Sequence, residues 1–247
     1  MEVELLKWYL ELGVYFCLED SPQNHIMQKT QDKPASEQPN SFGEWIGLAK
    51  ELADSCDDLA SLAKAIRSFQ GCELSKTATN TVFSDGDPNS KIMLIGEAPG
   101  FNEDMQGIPF CGASGALLNK MLSAIGLKRS EVYISNAVFW RPPNNRKPSD
   151  QEIELCRPFV QKHIALICPK IILLLGGTAV VSLLEQQVSV ASLRGSVHEY
   201  INRYTVANQP IKLIATYHPS YLLRRPEQKK LAWEDMLLLK QTYQQIS

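Results

Sequence analysis

From residue 92 onward the chain alternates short apolar runs with longer amphipathic stretches, and few folds are compatible with that alternation. Ile92–Ile95, Val132–Ser135, Ile171–Leu175 and Ile211–Thr216 are runs of four to six residues dominated by apolar side chains. Such short continuous runs suit strands buried on both faces. Between and after them the spacing predicts helices over 113–125, 150–167, 177–184 and 227–246, with Pro148-Ser149-Asp150 as a helix start. Strand and helix in repeated alternation imply a mainly parallel sheet covered on both sides, so a three-layer α/β/α sandwich is expected. Residues 165–184 hold one charge in twenty and approach a membrane span. Pro169-Lys170 and Gly176-Gly177-Thr178 divide that stretch into helix end, strand, turn and helix start, so no membrane span is expected.

The first 74 residues read differently. Leu5, Tyr9, Leu12 and Phe16 recur at helical spacing, and residues 21–41 then run polar through Pro22, Pro34 and Pro39. A second helical pattern covers 42–69, with Trp45, Leu48, Leu52, Leu59, Leu62 and Ile66 on one side. The expected organisation is an N-terminal helix (1–20), a flexible linker (21–41), a helical lead-in (42–74) and an α/β domain (75–247). Charge follows the same division. Residues 1–90 carry 7 Lys+Arg against 15 Asp+Glu, a balance of −8, and residues 91–247 carry 18 against 12, a balance of +6. A basic half of this kind suits an anionic partner such as nucleic acid, or else an unevenly charged solvated surface. Six cysteines without a CxxC pair are too few for a disulfide scaffold. The start Met1-Glu2-Val3-Glu4 lacks the basic segment of a secretory signal. A cytoplasmic monomer is expected, associated with the nucleoid if the source is bacterial.

Ligands of open parallel sheets bind beyond the carboxyl ends of the strands, and the unusual residues cluster at those ends. Gly96-Glu97-Ala98-Pro99-Gly100 leads through Glu103-Asp104 to Gly107-Ile108-Pro109-Phe110-Cys111-Gly112. Asn136 follows the second run, and Arg141-Pro142-Pro143-Asn144-Asn145-Arg146 comes soon after. His218-Pro219-Ser220-Tyr221-Leu222-Leu223-Arg224 follows the last. Each set alone is compatible with ordinary turns and caps.

Together, and in this order, the motifs resemble those of the family 4 uracil-DNA glycosylases, with coverage from about residue 75 to 243 and Arg194-Gly195 as a further matching dipeptide. The resemblance implies a DNA repair enzyme that extrudes deoxyuridine from the stack and hydrolyses its N-glycosidic bond, leaving an abasic site. It implies that Phe110 stacks on uracil and that the amide of Asn136 reads the base edge as donor and acceptor. It places His218 near a uracil carbonyl oxygen, where a donor stabilises the departing anion. Glu97 positions water or favours the sugar cation, and Ala98 follows it where some sister families carry an aspartate. Glu103 crowds the uracil 5-position and so excludes thymine. Leu222 or Leu223 wedges into the gap left by the base, while Arg224, Arg225, Arg141 and Arg146 neutralise phosphates. Other readings are a non-catalytic uracil- or DNA-binding module, associated with a DNA polymerase, and hydrolysis of another nucleoside-like substrate.

The chain departs from that family at its cofactor. Members typically hold a [4Fe–4S] cluster on four cysteines, and the matching positions here are Phe69, Cys72, Trp140 and Cys156. Two thiolates do not replace four. No cluster is expected, and Phe69 and Trp140 are expected to fill the volume it would occupy.

Overall fold

The structure, a computed structural model, describes residues 39, 41–185, 188–205 and 209–246. The helix expected near the N-terminus, and all of the expected linker but residues 39 and 41, lie outside the described residues.

Six strands form one sheet in the order β1-β3-β2-β4-β6-β5: β1 Asp85–Gly86, β2 Ile92–Gly96, β3 Tyr133–Asn136, β4 Ile171–Leu175, β5 His198–Tyr200 and β6 Ile211–Thr216. The four central strands are parallel and the two edge strands antiparallel to their neighbours. Alternate residues of each buried strand face opposite cores. Met93, Ile95, Ile172, Leu174, Leu213 and Ala215 share one core with α1 (Phe42–Asp54), α2 (Leu59–Ser68), α6 (Asp150–Ile167) and α7 (Gly177–Leu184). Ile92, Leu94, Ile134, Leu173 and Ile214 share the other with α5 (Ala113–Ala124) and α10 (Lys229–Gln244). Helices cover both faces because the chain reverses direction at β2. It steps to β3 through α5 on one face, then returns past β2 to β4 through α6 on the other, as right-handed crossovers require. The α/β/α sandwich read from the sequence is the fold. Among the described residues no helix is long and apolar enough to cross a membrane.

Differences from the sequence reading have local causes. The helix expected over 42–69 is two, because Asp58 starts a new one. Its carboxylate accepts from Ser61 N at 2.7 Å, and Ser61 Oγ accepts in return from Asp58 N, a reciprocal cap that outweighs continuation. Four-residue α3 (Leu74–Thr77) follows. The second strand starts at Tyr133 and includes Asn136, which pairs with Gly96. The last helix starts at Lys229 after a 3₁₀ turn, Pro226–Gln228. The edge strands β1 and β5 carry no apolar run, and α4 (Phe101–Gln106), α8 (Val190–Leu193) and α9 (Pro219–Arg224) are too short for a periodic signal. The start of α6 is as read: Ser149 Oγ accepts from Glu152 N, and Glu152 Oε2 accepts from Ser149 N.

Candidate active site

A cavity of about 560 Å³ opens at the carboxyl ends of the parallel strands, and Glu97, Glu103, Phe110, Asn136, Arg146, His218 and Arg224 all line it. Its size suits one nucleotide base with its sugar. Three strand ends supply the key side chains: β2 leads into Glu97, β3 ends on Asn136, and β6 leads into His218.

Asn136 is almost wholly buried, and Gly96 lies beside it in the ladder. A Cβ on Gly96 would lie 2.4 Å from Asn136 Oδ1 and 2.5 Å from Phe110 Cζ. Glycine at 96 therefore lets the Asn136 amide and the Phe110 ring meet over bare backbone. Phe110 has a left-handed backbone, φ +52°, an arrangement that costs a non-glycine residue about 1–2 kcal/mol. Two features hold it there. Gly115 passes so close that its Cβ would fall 1.7 Å from Phe110 O. Arg129 donates through Nη1 to Phe110 O at 3.1 Å and through Nη2 to Pro109 O at 2.6 Å, while its Nε bonds Asp85 Oδ2 at 2.6 Å. Asp85 belongs to β1, so the edge strand anchors the clamp on the aromatic loop. Neither Arg129 nor Asp85 stands out in sequence, since nothing local joins them to Phe110.

His218 caps α9 with its own ring. Nδ1 accepts from Ser220 N at 3.1 Å and lies 2.8 Å from Ser220 Oγ. A backbone N–H only donates, so Nδ1 must be unprotonated and the neutral ring carries its proton on Nε2. Burial, with Arg224 nearby, pushes the imidazole pKa down to about 4, against a smaller opposing pull from Glu103. The side chain thus enters the cavity as a neutral donor. The Phe110 and His218 rings lie 5.5 Å apart, inclined by 30°.

Glu97 Oε2 accepts from Thr178 Oγ1 at 2.5 Å. Thr178 is fully buried at the start of α7; in sequence it reads only as a turn residue after Gly176-Gly177. Glu103 uses both oxygens within its loop, Oε2 accepting from Gly100 N at 3.1 Å and Oε1 from Gly112 N at 2.9 Å. It ties the two ends of the first motif together. The two leucines separate: Leu222 is buried, on the short helix that packs against α5, whereas Leu223 is exposed. Helical phase turns the Leu222 side chain inward and leaves that of Leu223 at the surface. The arginines separate too. Arg146 forms a two-pronged pair with Glu152, 2.8 and 2.6 Å, which neutralises much of its charge. Arg141 Nε donates to Asn145 Oδ1, and Arg225 lies 3.9 Å from Glu227. Arg224 lines the cavity and has no ion pair among the described residues.

The four positions of the cluster match lie in the core of the α6 face. Phe69 packs edge-on against Trp45 and Phe159, with centroids 5.8 and 5.2 Å away. Trp140 is buried and donates through Nε1 to Thr81 Oγ1 at 3.0 Å. Cys72 and Cys156 are wholly buried and share a thiol–thiol contact. Burial drives the Cys156 thiol well above its ordinary pKa, and the shared bond pulls Cys72 down. Two thiols and two packed rings do not fit a four-thiolate cluster. Among the described residues no three His, Cys, Asp or Glu side chains gather as a metal site.

A family model described as the uracil DNA glycosylase superfamily matches residues 83–237. The chain is 38% identical over 175 residues to a type-4 uracil-DNA glycosylase of Archaeoglobus fulgidus, covering 69% of this chain and 86% of that one. It is 39% identical over 184 residues to a type-4 uracil-DNA glycosylase of Sulfurisphaera tokodaii, covering 72% and 82%. A type-5 uracil-DNA glycosylase of Thermus thermophilus is 32% identical over 154 residues, covering 55% and 67%.

Proposed function

Because this chain belongs to the uracil DNA glycosylase superfamily, we propose that it excises uracil from DNA by hydrolysing the N-glycosidic bond of an extruded deoxyuridine. As the C1′–N1 bond breaks, its electron pair goes to uracil and the sugar becomes a cation. Water then attacks C1′, and the proton it loses passes through solvent to the uracil anion, leaving free uracil and an abasic site. The observation that carries this reading is the neutral His218, whose Nδ1 is taken by Ser220 and whose Nε2–H is left for the cavity. A fixed donor at the leaving uracil oxygen stabilises charge that develops only in the transition state, typically by about 3 kcal/mol.

Phe110 supplies the stacking face. Asn136 accepts through Oδ1 from the uracil N3–H and donates through Nδ2 to its O4, a pairing that cytosine reverses. Glu97, held by Thr178, stabilises the sugar cation and orients the attacking water. Glu103 sets the loop wall facing the 5-position, where thymine carries a methyl group. Leu223 is the exposed wedge of the pair, and Arg224, Arg225 and Arg141 meet phosphates. The proposed reaction uses no iron–sulfur cluster, since only two of the four positions that match the family's ligands carry thiols. Iron analysis of aerobically purified protein checks this: about four iron atoms per chain, with the absorbance near 400 nm of such clusters, would overturn it.

Activity is tested by incubating the chain with a uracil-containing oligonucleotide and cleaving with alkali. Strand scission at the uracil position is expected for wild type. Retained uracil-dependent binding without scission, at excess enzyme, would instead identify a binding module.

A further inference from the structure

Three exposed large apolar side chains, Phe101, Met105 and Ile108, fall within eight consecutive positions beside the cavity. Phe101 and Met105, four apart on α4, share one helical face. Phe101 is the largest of the three and is 55% exposed. The guanidinium of Arg141 stands over its ring, 5.0 Å from the centroid, and Arg141 is itself held by the Nε bond to Asn145 at 2.6 Å. Gly100, next to Phe101, and Pro142, next to Arg141, both line the cavity. The ring and the guanidinium therefore bridge two loops at its rim.

We propose that Phe101, backed by Arg141, is a stacking platform for the nucleobase adjacent to the extruded uracil on the same strand. The proposal rests on the uracil-excising reading of the cavity and adds a second base subsite to it. Three arguments favour a base as the occupant. Extruding a nucleotide uncovers the face of its neighbour, which needs an apolar surface within one nucleotide step of the cavity. A half-exposed ring with a cation on one side has its other side for a base, and such stacking tolerates any sequence. Arg141 places positive charge where the backbone of that nucleotide must pass. Met105 and Ile108 extend the apolar surface.

The test is a cycle of protein and DNA deletions. Single strands carry a 2′-fluorinated deoxyuridine, which slows cleavage, flanked on each side in turn by a normal nucleotide or an abasic spacer. Dissociation constants are measured for wild type, Phe101→Ala and Phe101→Tyr. Wild type is expected to lose about tenfold in affinity when the base on one of the two sides is removed. Phe101→Ala is expected to show that loss already and none further, while Phe101→Tyr behaves as wild type. Free-uracil inhibition of the unmodified reaction is expected to be unchanged in both variants. Additive losses from the protein and DNA changes, or wild-type affinity in Phe101→Ala, would overturn the platform. Wild-type affinity in Phe101→Ala would also be the outcome if the apolar face serves another protein. Failure of wild type to cleave normal deoxyuridine would instead count against the parent reading, and the binding cycle is read independently of it.

Discussion

Replacing Arg129 with Met removes the clamp on Phe110 while keeping a side chain of similar length. Four arms are lost: the bonds to Pro109 O and Phe110 O, a longer, exposed bond of 3.3 Å to Asn119 Oδ1, and the ion pair with Asp85. The ion pair is partly exposed, with Asp85 at 37%, so it contributes well under 1 kcal/mol. The carbonyl bonds are shielded and contribute about 1 kcal/mol each. Their sum of about 2 kcal/mol is comparable to the roughly 1–2 kcal/mol cost of a left-handed backbone at Phe110, so the clamp and the strain are nearly matched. Without the clamp the melting temperature is expected to fall by about 4–8 °C. Phe110 relaxes out of register with Asn136, and misplacement by an ångström lowers kcat/KM about a hundredfold. The assay is excision of uracil from a single strand at a temperature far below unfolding, with circular dichroism confirming the fold. Asp85→Asn keeps both carbonyl arms and is expected to lose no more than a few-fold. Arg129→Met with kcat/KM within twofold of wild type, despite its lower melting temperature, would refute the clamp.

Four further outcomes are expected. His218 has its pKa lowered to about 4 from 6.5 by burial and the nearby Arg224, so the neutral form persists as pH falls through 6.5. A kcat/KM profile should then show no imidazole inflection near pH 6.5, and such an inflection would contradict a ring held neutral by burial. Leu222→Ala should cost about 2–4 kcal/mol in urea unfolding through the cavity it leaves. Leu223→Ala should leave stability unchanged and lower excision from duplex more than from single strands; equal losses on both substrates would argue against a wedge. Gly115→Ala puts a Cβ on Phe110 O, and the purified variant should lose excision even where its far-ultraviolet spectrum is native.

Much of this was legible in the sequence because the information was local. The buried strands announce themselves as apolar runs, and the Asp150 helix by its cap at Ser149. The cavity residues Glu97, Asn136 and His218 fall where parallel strands end, and Phe110 lies in the motif that begins at the first of those ends. What was not legible depends on long-range geometry. Arg129 reaches Phe110 across nineteen positions and Asp85 across forty-four, and Thr178 meets Glu97 across eighty-one. No periodicity encodes such a bond. The separation of Leu222 from Leu223 needed the phase of a six-residue helix, too short to show a repeat. The Arg146–Glu152 pair crosses from a loop to the first turn of α6, where no repeat signals it either.

The ladder between β2 and β3 aligns Met93, Leu94, Ile95 and Gly96 with Tyr133, Ile134, Ser135 and Asn136. On the proposed reading of the site, this register sets, like a ruler, which side chain meets the base. A slip of one residue would present Ser135 instead of Asn136 and turn Ile134 from one core into the other. The amide therefore cannot shift to accommodate a wrong base without breaking ladder bonds and unpacking both layers. Discrimination in such a site is that of a fixed gauge: a base with the wrong donor pattern is rejected at the strength of its own unmet hydrogen bonds, while the protein stays still. Variants that soften the β2–β3 pairing should lose selectivity between uracil and cytosine before they lose the fold.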